Sequence, residues 1–146
     1  MSNSDIDALK LENQLCFPLY AAAREVVKKY RPMLDAIGLT YTQYITMMVL
    51  WERREITVKA LGETLFLDSG TMTPVLKSLE EKGFVIRKRS AADERSVIVY
   101  ITESGDALKA AARDIPEKLA SCVGLSPEEA MQLYALLYKL LRSDGA

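Results

Sequence analysis

Apolar positions recur at steps of three and four along most of this chain, and two short β-prone runs interrupt that rhythm. Leu15, Leu19, Ala22, Val26, Val27, Tyr30 and Leu34 follow the helical step and predict a helix closed by Gly38. Pro18 has no backbone N–H and fits best in the first turn, which puts Cys16 at or just before the helix start; the alternative is a helix that begins earlier and kinks at Pro18. Thr40-Tyr41-Thr42-Gln43 reads as a capping box, and Tyr44, Met47, Met48 and Trp51 then form one apolar stripe. Thr57 is placed to cap a short third helix carrying Ala60, Leu61 and Leu65. Asp68 is placed to cap the next, in which Met72, Val75, Leu76 and Leu79 face inward and which Gly83 ends. Phe84-Val85-Ile86 and the run from Val97 to Ile101 flank a polar turn, the pattern of a hairpin with a long loop. Helix resumes at Thr102 and continues through Leu108, Ala111, Ile115 and Leu119. Ser126-Pro127-Glu128-Glu129 is a second capping box, ahead of a stripe of Met131, Tyr134, Leu137, Tyr138 and Leu141. The first dozen residues are polar and mixed, a frayed lead-in.

The pattern predicts a mainly α (α+β) fold of about six helices around one two-stranded hairpin. From residue 57 to 101 the order is helix, tight turn, helix, strand, basic turn, strand, which is that of a winged helix-turn-helix. At 146 residues the chain fits one domain, residues 1–146. Residues 40–101 form the winged lobe, and 12–38 and 103–142 form apolar terminal helices. These read as a dimer interface, with closure of the monomer's own core as the alternative.

Composition narrows the chemistry. The formal charge is −1, so any polyanion must be met by a local patch. There is no histidine, which removes Ser-His and Cys-His nucleophile pairs and histidine metal sites. Neither a phosphate-binding loop of the G-x-x-x-x-G-K-[ST] type nor a G-x-G-x-x-G motif occurs. No enzyme activity, metal or cofactor is expected. No apolar run is long enough to span a membrane and the start lacks a signal-peptide pattern, so a cytoplasmic location is expected. The two cysteines, Cys16 and Cys122, read by default as free thiols. The six methionines read as core filler.

The fourth helix presents Ser69, Thr71, Thr73 and Lys77, short hydroxyls and one base able to meet phosphates or base edges. Its first N–H groups are further phosphate donors. Ser69 and Thr71 are read equally well as simple helix-start residues. The hairpin decides the matter. Lys82, Arg87, Lys88, Arg89 and Arg95 cluster around it, and arginines at such a tip suit a narrow minor groove. Asp93 is expected to pair with Arg87, Arg89 or Arg95 and shape the loop. Taken alone the charges are a solvated loop; beside a helix-turn-helix they predict binding to double-stranded DNA.

The stretch LDSGTMTPVLKSLEEKGFVIRKRSAADERSVIVYIT resembles the core of the MarR family of winged-helix repressors, with DERSV as the wing signature. LENQLCFPLYAAAREVVKKYRPML, together with LTYTQYITMMVLWE, resembles one branch of it, the organic hydroperoxide resistance regulators (OhrR). The likeness runs from about Leu11 to Leu141. It implies a homodimer whose two wings and recognition helices straddle an inverted-repeat operator. It implies that Cys16 is the peroxide-sensing cysteine and that Tyr30 and Tyr41 hydrogen-bond its sulfur, one or both across the dimer interface. It further implies the two-cysteine type, in which Cys122 is similar in position to a resolving cysteine that forms an intersubunit disulfide.

The expected chemistry follows from the residue types. A thiolate is the nucleophile, and a helix start favours negative charge. Tyrosine hydroxyls can donate to it while staying protonated. Leu15, Phe17, Leu19 and Tyr20 would favour peroxides with organic tails. Oxidation gives a sulfenic acid that condenses with a thiol. Two other readings stay open from the residues alone: a repressor of the same family released by a phenolic or lipophilic ligand, and a thiol peroxidase. A lone cysteine on an apolar helix face is otherwise a small buried hydrophobe, and Tyr30 and Tyr41 are otherwise packing residues.

Overall fold

Capping side chains decide where the helices of this chain begin. The computed structural model describes residues 7–143, so part of the expected polar lead-in lies outside the described residues. A 3-10 turn at Leu11–Asn13 precedes α1 (Cys16–Asp35), α2 (Tyr41–Arg53), β1 (Glu55–Thr57), α3 (Val58–Leu65) and α4 (Ser69–Glu81). The hairpin strands β2 (Val85–Arg89) and β3 (Val97–Ile101) follow, then α5 (Glu103–Ala112), α6 (Ile115–Val123) and α7 (Pro127–Arg142). Thr40, Thr57, Asp68, Thr102 and Ser126 each accept the backbone N–H three residues on, and Thr40 and Ser126 complete capping boxes with Gln43 and Glu129. Gly38, at φ +71°, ends the first helical segment: its N–H donates to the Asp35 carbonyl and that of Leu39 to the Leu34 carbonyl. This is a Schellman closure, and it buries Leu34 and Leu39 in the core.

The structure differs from the sequence pattern at four places. The helix expected from Thr102 through Leu119 is two helices. Pro116 lacks an N–H and cannot extend the hydrogen-bond ladder of the preceding helix, and it stands second in the new one, where a missing donor costs least. The hairpin is part of a three-stranded antiparallel sheet in the order β1-β3-β2, with Ile56 opposite Val99 and Arg87 opposite Val99 on the other side. The added strand is three residues long and has no pattern of its own; pairing with β3 creates it. Strand β2 also runs past the apolar Val85-Ile86 into Arg87, Lys88 and Arg89, which therefore flank the wing and leave its tip to residues 90–96. On α2, Met48 faces outward, while Val49 and Leu50 are buried.

The chain divides into two compact units, Met1–Ile115 and Pro116–Ala146. In the first, Met47, Leu50, Leu61, Met72, Leu76, Leu79, Val85 and Val99 form a dry core between α2, α3, α4 and the sheet. The amino-terminal half of α1 takes no part in it: Leu15, Phe17, Leu19 and Tyr20 are exposed, Leu15 at 83 %. In the second unit, no residue of α7 is buried, and Met131, Leu133, Tyr134, Leu136, Leu140 and Leu141 are exposed.

The start of α5 is pressed against the hairpin. The Trp51 indole N–H donates to the Gly105 carbonyl at 2.9 Å, and the Thr102 hydroxyl donates to that of Gly83 at 2.6 Å. A Cβ at Gly105 would sit 2.2 Å from the Phe84 carbonyl oxygen. Gly105→Ala is therefore expected to destabilise the fold by about 1–3 kcal/mol, the usual cost of forced overpacking, as read from urea unfolding midpoints.

Candidate nucleic-acid interface and thiol site

The exposed face of α4 is built on its amino-terminal cap. Asp68 accepts the Thr71 N–H at 2.7 Å, and this bond holds its carboxyl below the usual carboxylate range. The cap uses up one of the helix-start donors that sequence reasoning had assigned to phosphate. Ser69, Thr71, Thr73 and Lys77 are all exposed along the following turns. The Thr73 hydroxyl donates back to the Ser69 carbonyl at 2.8 Å, so it faces outward as an acceptor. Between this face and the wing runs a groove of about 970 Å³ whose walls include Phe66, Ser69, Thr73, Arg87, Arg95 and Ser96. Phe66 was not singled out by sequence reasoning. It is 52 % exposed and sits at φ +56°, the left-handed conformation that makes the turn between α3 and α4. An aromatic residue directly before Leu-Asp at a helix junction is the one signal that could have marked it.

The basic residues of the wing divide by what they touch. Arg87 is held by Glu80 of α4, whose carboxylate accepts its backbone N–H at 3.0 Å and its guanidinium at 3.3 Å. Those bonds lower the Glu80 pKa. Arg89 donates to the Glu94 carbonyl at 2.9 Å across the wing loop, and the Lys88 ammonium lies 6.0 Å from the centre of the Tyr100 ring. Arg95 and Lys77 make no side-chain hydrogen bond or ion pair among the described residues. Asp93 shapes the loop in a way the sequence reading did not anticipate. It pairs with no guanidinium; it accepts the Arg95 N–H at 3.0 Å and the Ser96 hydroxyl at 3.3 Å, closing the turn on itself. Lys82 is not a wing residue at all. Its ammonium reaches the Gly38 carbonyl and the Gln43 side chain.

Cys16 is the first residue of α1 and is exposed. Unlike most helices of this chain, α1 has no side-chain cap. Pro18 lies in its first turn, as the proline's missing donor requires, so the kinked alternative falls away. Tyr30 and Tyr41 are packed together with ring centres 4.9 Å apart, and Tyr44 adds a third ring 5.8 Å from Tyr30. Burial, then the neighbouring phenols Tyr41 and Tyr44, push the Tyr30 pKa up to about 12, and burial raises those of Tyr41 and Tyr44. All three are neutral O–H donors at neutral pH, and none forms a hydrogen bond among the described residues. Cys16 and Tyr30 lie on one helix, fourteen residues apart, which is about 21 Å at about 1.5 Å per residue. The same chain cannot bring them together. Cys122 is exposed in the last turn of α6, with the Ser121 hydroxyl 3.9 Å from its sulfur.

A capped recognition-type helix, a turn in the left-handed conformation and a basic sheet-anchored hairpin define a winged helix-turn-helix regulator. The sequence profile of transcriptional regulator SarA/Rot matches residues 28–112. The organic hydroperoxide resistance transcriptional regulator of Bacillus subtilis (strain 168) is 50% identical over 137 residues, covering 94% of this chain and 93% of that protein. Reduced AbfR bound to DNA superposes with a TM-score of 0.79 at 33% identity, over 97% of this chain and 98% of that one. A disulfide-formed AbfR superposes with a TM-score of 0.61 at 34% identity, over 97% of each chain; AbfR is from Staphylococcus epidermidis. The chain belongs to the MarR family of winged-helix, DNA-binding transcriptional regulators, in the branch of the organic hydroperoxide resistance regulators. It is a regulator and not an enzyme.

Three expectations follow from this geometry. Lys77→Ala and Arg95→Ala should each weaken DNA binding and reduce the slope of log affinity against log salt by about one, measured by fluorescence anisotropy over a salt series. Arg87→Ala should instead lower the unfolding midpoint, because it removes the tie to Glu80. The raised Tyr30 pKa sets a pH window. Its stabilising contribution is present below about pH 10, where the unfolded phenol is also protonated, and is lost as pH rises towards about 12. Thermal unfolding of Tyr30→Phe should accordingly show a shallower loss of stability across that interval than the parent chain.

Proposed function

We propose that this chain is a homodimeric repressor that holds an inverted-repeat operator in double-stranded DNA and releases it when an organic hydroperoxide oxidises Cys16. The observation that carries this reading is the separation within α1. Its exposed thiol leads an exposed apolar helix surface, and the tyrosine pair, whose hydroxyls make no hydrogen bond among the described residues, lies about 21 Å further along. A second copy packed on that surface can bring its Tyr30, and Tyr41 with it, to the thiol. The exposed apolar stripes of α1 and α7 are the surface such a dimer would bury, as expected for terminal helices 12–38 and 103–142.

The chemistry is then a single turnover. The Cys16 thiolate attacks the peroxide oxygen, the O–O bond breaks, and the products are a sulfenic acid and an alcohol once the leaving alkoxide takes a proton. Phenol O–H groups of Tyr30 and Tyr41 donate to the thiolate without giving up their protons. The apolar Leu15, Phe17, Leu19 and Tyr20 favour an organic tail on the peroxide. Cys122 of the partner subunit then attacks the sulfenic sulfur, giving an intersubunit disulfide and water. Ser69, Thr71, Thr73, Lys77, Lys88 and Arg95 make the DNA contacts, with Arg87 and Arg89 first holding the wing in shape and Asp93 closing its loop. The likeness to AbfR, known both reduced on DNA and in a disulfide-formed state, supports the two ends of this cycle. No described helix is long and apolar enough to cross a membrane.

The test is a non-reducing gel with intact mass after a stoichiometric dose of cumene hydroperoxide. A covalent dimer that is absent in both Cys16→Ser and Cys122→Ser is expected. A monomer that gains only oxygen at Cys16 would remove Cys122 from the mechanism. No change at either cysteine would overturn the redox reading in favour of ligand-controlled release. Tyr30→Phe and Tyr41→Phe should each slow oxidation of Cys16 several-fold in stopped-flow measurements, and unchanged rates would reduce both tyrosines to packing residues.

A further inference from the structure

Gln43 is only 5 % exposed and stands two residues after Tyr41, in the first turn of α2. A capping box asks one thing of its side chain, to accept the Thr40 N–H, which it does at 3.0 Å. The rest of the amide is committed elsewhere. Its Nε2 donates to the Ser78 hydroxyl oxygen at 2.8 Å, 35 residues away in the last turns of α4. Its Oε1 also accepts from the Lys82 ammonium at 2.9 Å, just beyond the end of α4. Lys82 in turn donates to the Gly38 carbonyl at 2.6 Å. One buried side chain thus ties together the α1–α2 turn, the Tyr41 end of α2 and the carboxy-terminal end of the helix that carries Ser69, Thr71, Thr73 and Lys77.

We propose that Gln43 is the positioning residue through which movement at the Tyr41 end of α2 is passed to the DNA-facing helix, by way of Ser78 and Lys82. The inference rests on the peroxide-sensing reading above and names the internal route by which that site acts. Apolar contacts between α2 and α4 can slide and repack under a small shift. Hydrogen bonds to a buried amide cannot, because they are directional and weaken steeply as they lengthen or bend. A shift of Tyr41 on oxidation therefore either drags Ser78 with it or leaves a buried amide unsatisfied.

The experiment compares operator affinity of the full-length protein before and after oxidation with cumene hydroperoxide, for the parent chain, Ser78→Ala, Gln43→Leu and Gln43→Glu. Intact mass follows Cys16 oxidation in each. Gln43→Glu keeps acceptors for Thr40, Lys82 and the Ser78 hydroxyl and is expected to respond like the parent. Ser78→Ala and Gln43→Leu should oxidise at Cys16 at the parental rate, yet their loss of affinity on oxidation should shrink by about three- to thirty-fold. Ser78→Ala, which deletes one hydroxyl, keeps the test open if Gln43→Leu fails to fold. A parental loss of affinity in Ser78→Ala would overturn the inference while leaving the sensor intact. So would a reduced Ser78→Ala that folds normally but cannot bind DNA, since that would make Ser78 part of the interface. A parent chain that oxidises yet keeps its operator would overturn the peroxide-sensing reading itself, and this inference with it.

Discussion

An α-helix cannot fold back on itself, and that constraint governs how this protein can work. Cys16 opens α1, and Tyr30 lies fourteen residues on along the same rigid rod. The two groups that the proposed chemistry brings together are held about 21 Å apart in one chain. A sensor built on them, as proposed above, would be shared between two copies. The same helix carries apolar side chains that are exposed among the described residues, so the surface proposed to take a second copy and the thiol proposed to depend on it are one feature. On that proposed reading, dimerisation assembles the site as well as fitting an inverted-repeat operator.

The charge distribution follows a related economy. The chain is slightly acidic overall, and several of its bases near the wing are already engaged. Arg87 is clamped by Glu80, Arg89 by the Glu94 carbonyl, and Lys82 by Gly38 and Gln43. The first two contacts build the shape of the wing and fix it to α4, and the third ties the end of α4 to the α1–α2 turn. Lys77 and Arg95 make no side-chain hydrogen bond or ion pair among the described residues, which leaves them available for the DNA contacts proposed for them. Asp68 and Asp93 serve the same end: each carboxylate accepts nearby N–H or O–H groups and so fixes local geometry, the start of α4 in one case and the turn of the wing in the other.

Much of the fold was legible in the residues because its signals are local. Caps at Thr40, Thr57, Asp68, Thr102 and Ser126, the Schellman glycine at 38 and the helical step of the core residues act within a few positions of themselves. Strand β1 was not legible, since three residues carry no period and only pairing with β3 makes them a strand. The extension of β2 into Arg87, Lys88 and Arg89 was hidden for the opposite reason. A run of charges looks like a loop, and the ladder to β3 overrides that local preference.

The candidate site divides in the same way. Residue types and order alone determined the winged helix-turn-helix, the cysteine at a helix start, the exposed polar face of α4 with Ser69, Thr71, Thr73 and Lys77, and the apolar terminal helices. Tertiary structure decided what each charged or polar group does there: that Arg87 serves Glu80, that Asp93 binds backbone and hydroxyl in place of arginine, that Lys82 belongs to the α1–α2 turn, and that Gln43 reaches Ser78 as well as capping its helix. The physical reason is range. Periodicity and capping are settled by neighbours within a turn or two, whereas a long polar side chain has several partners in reach and takes the one that the packing of distant segments brings to it.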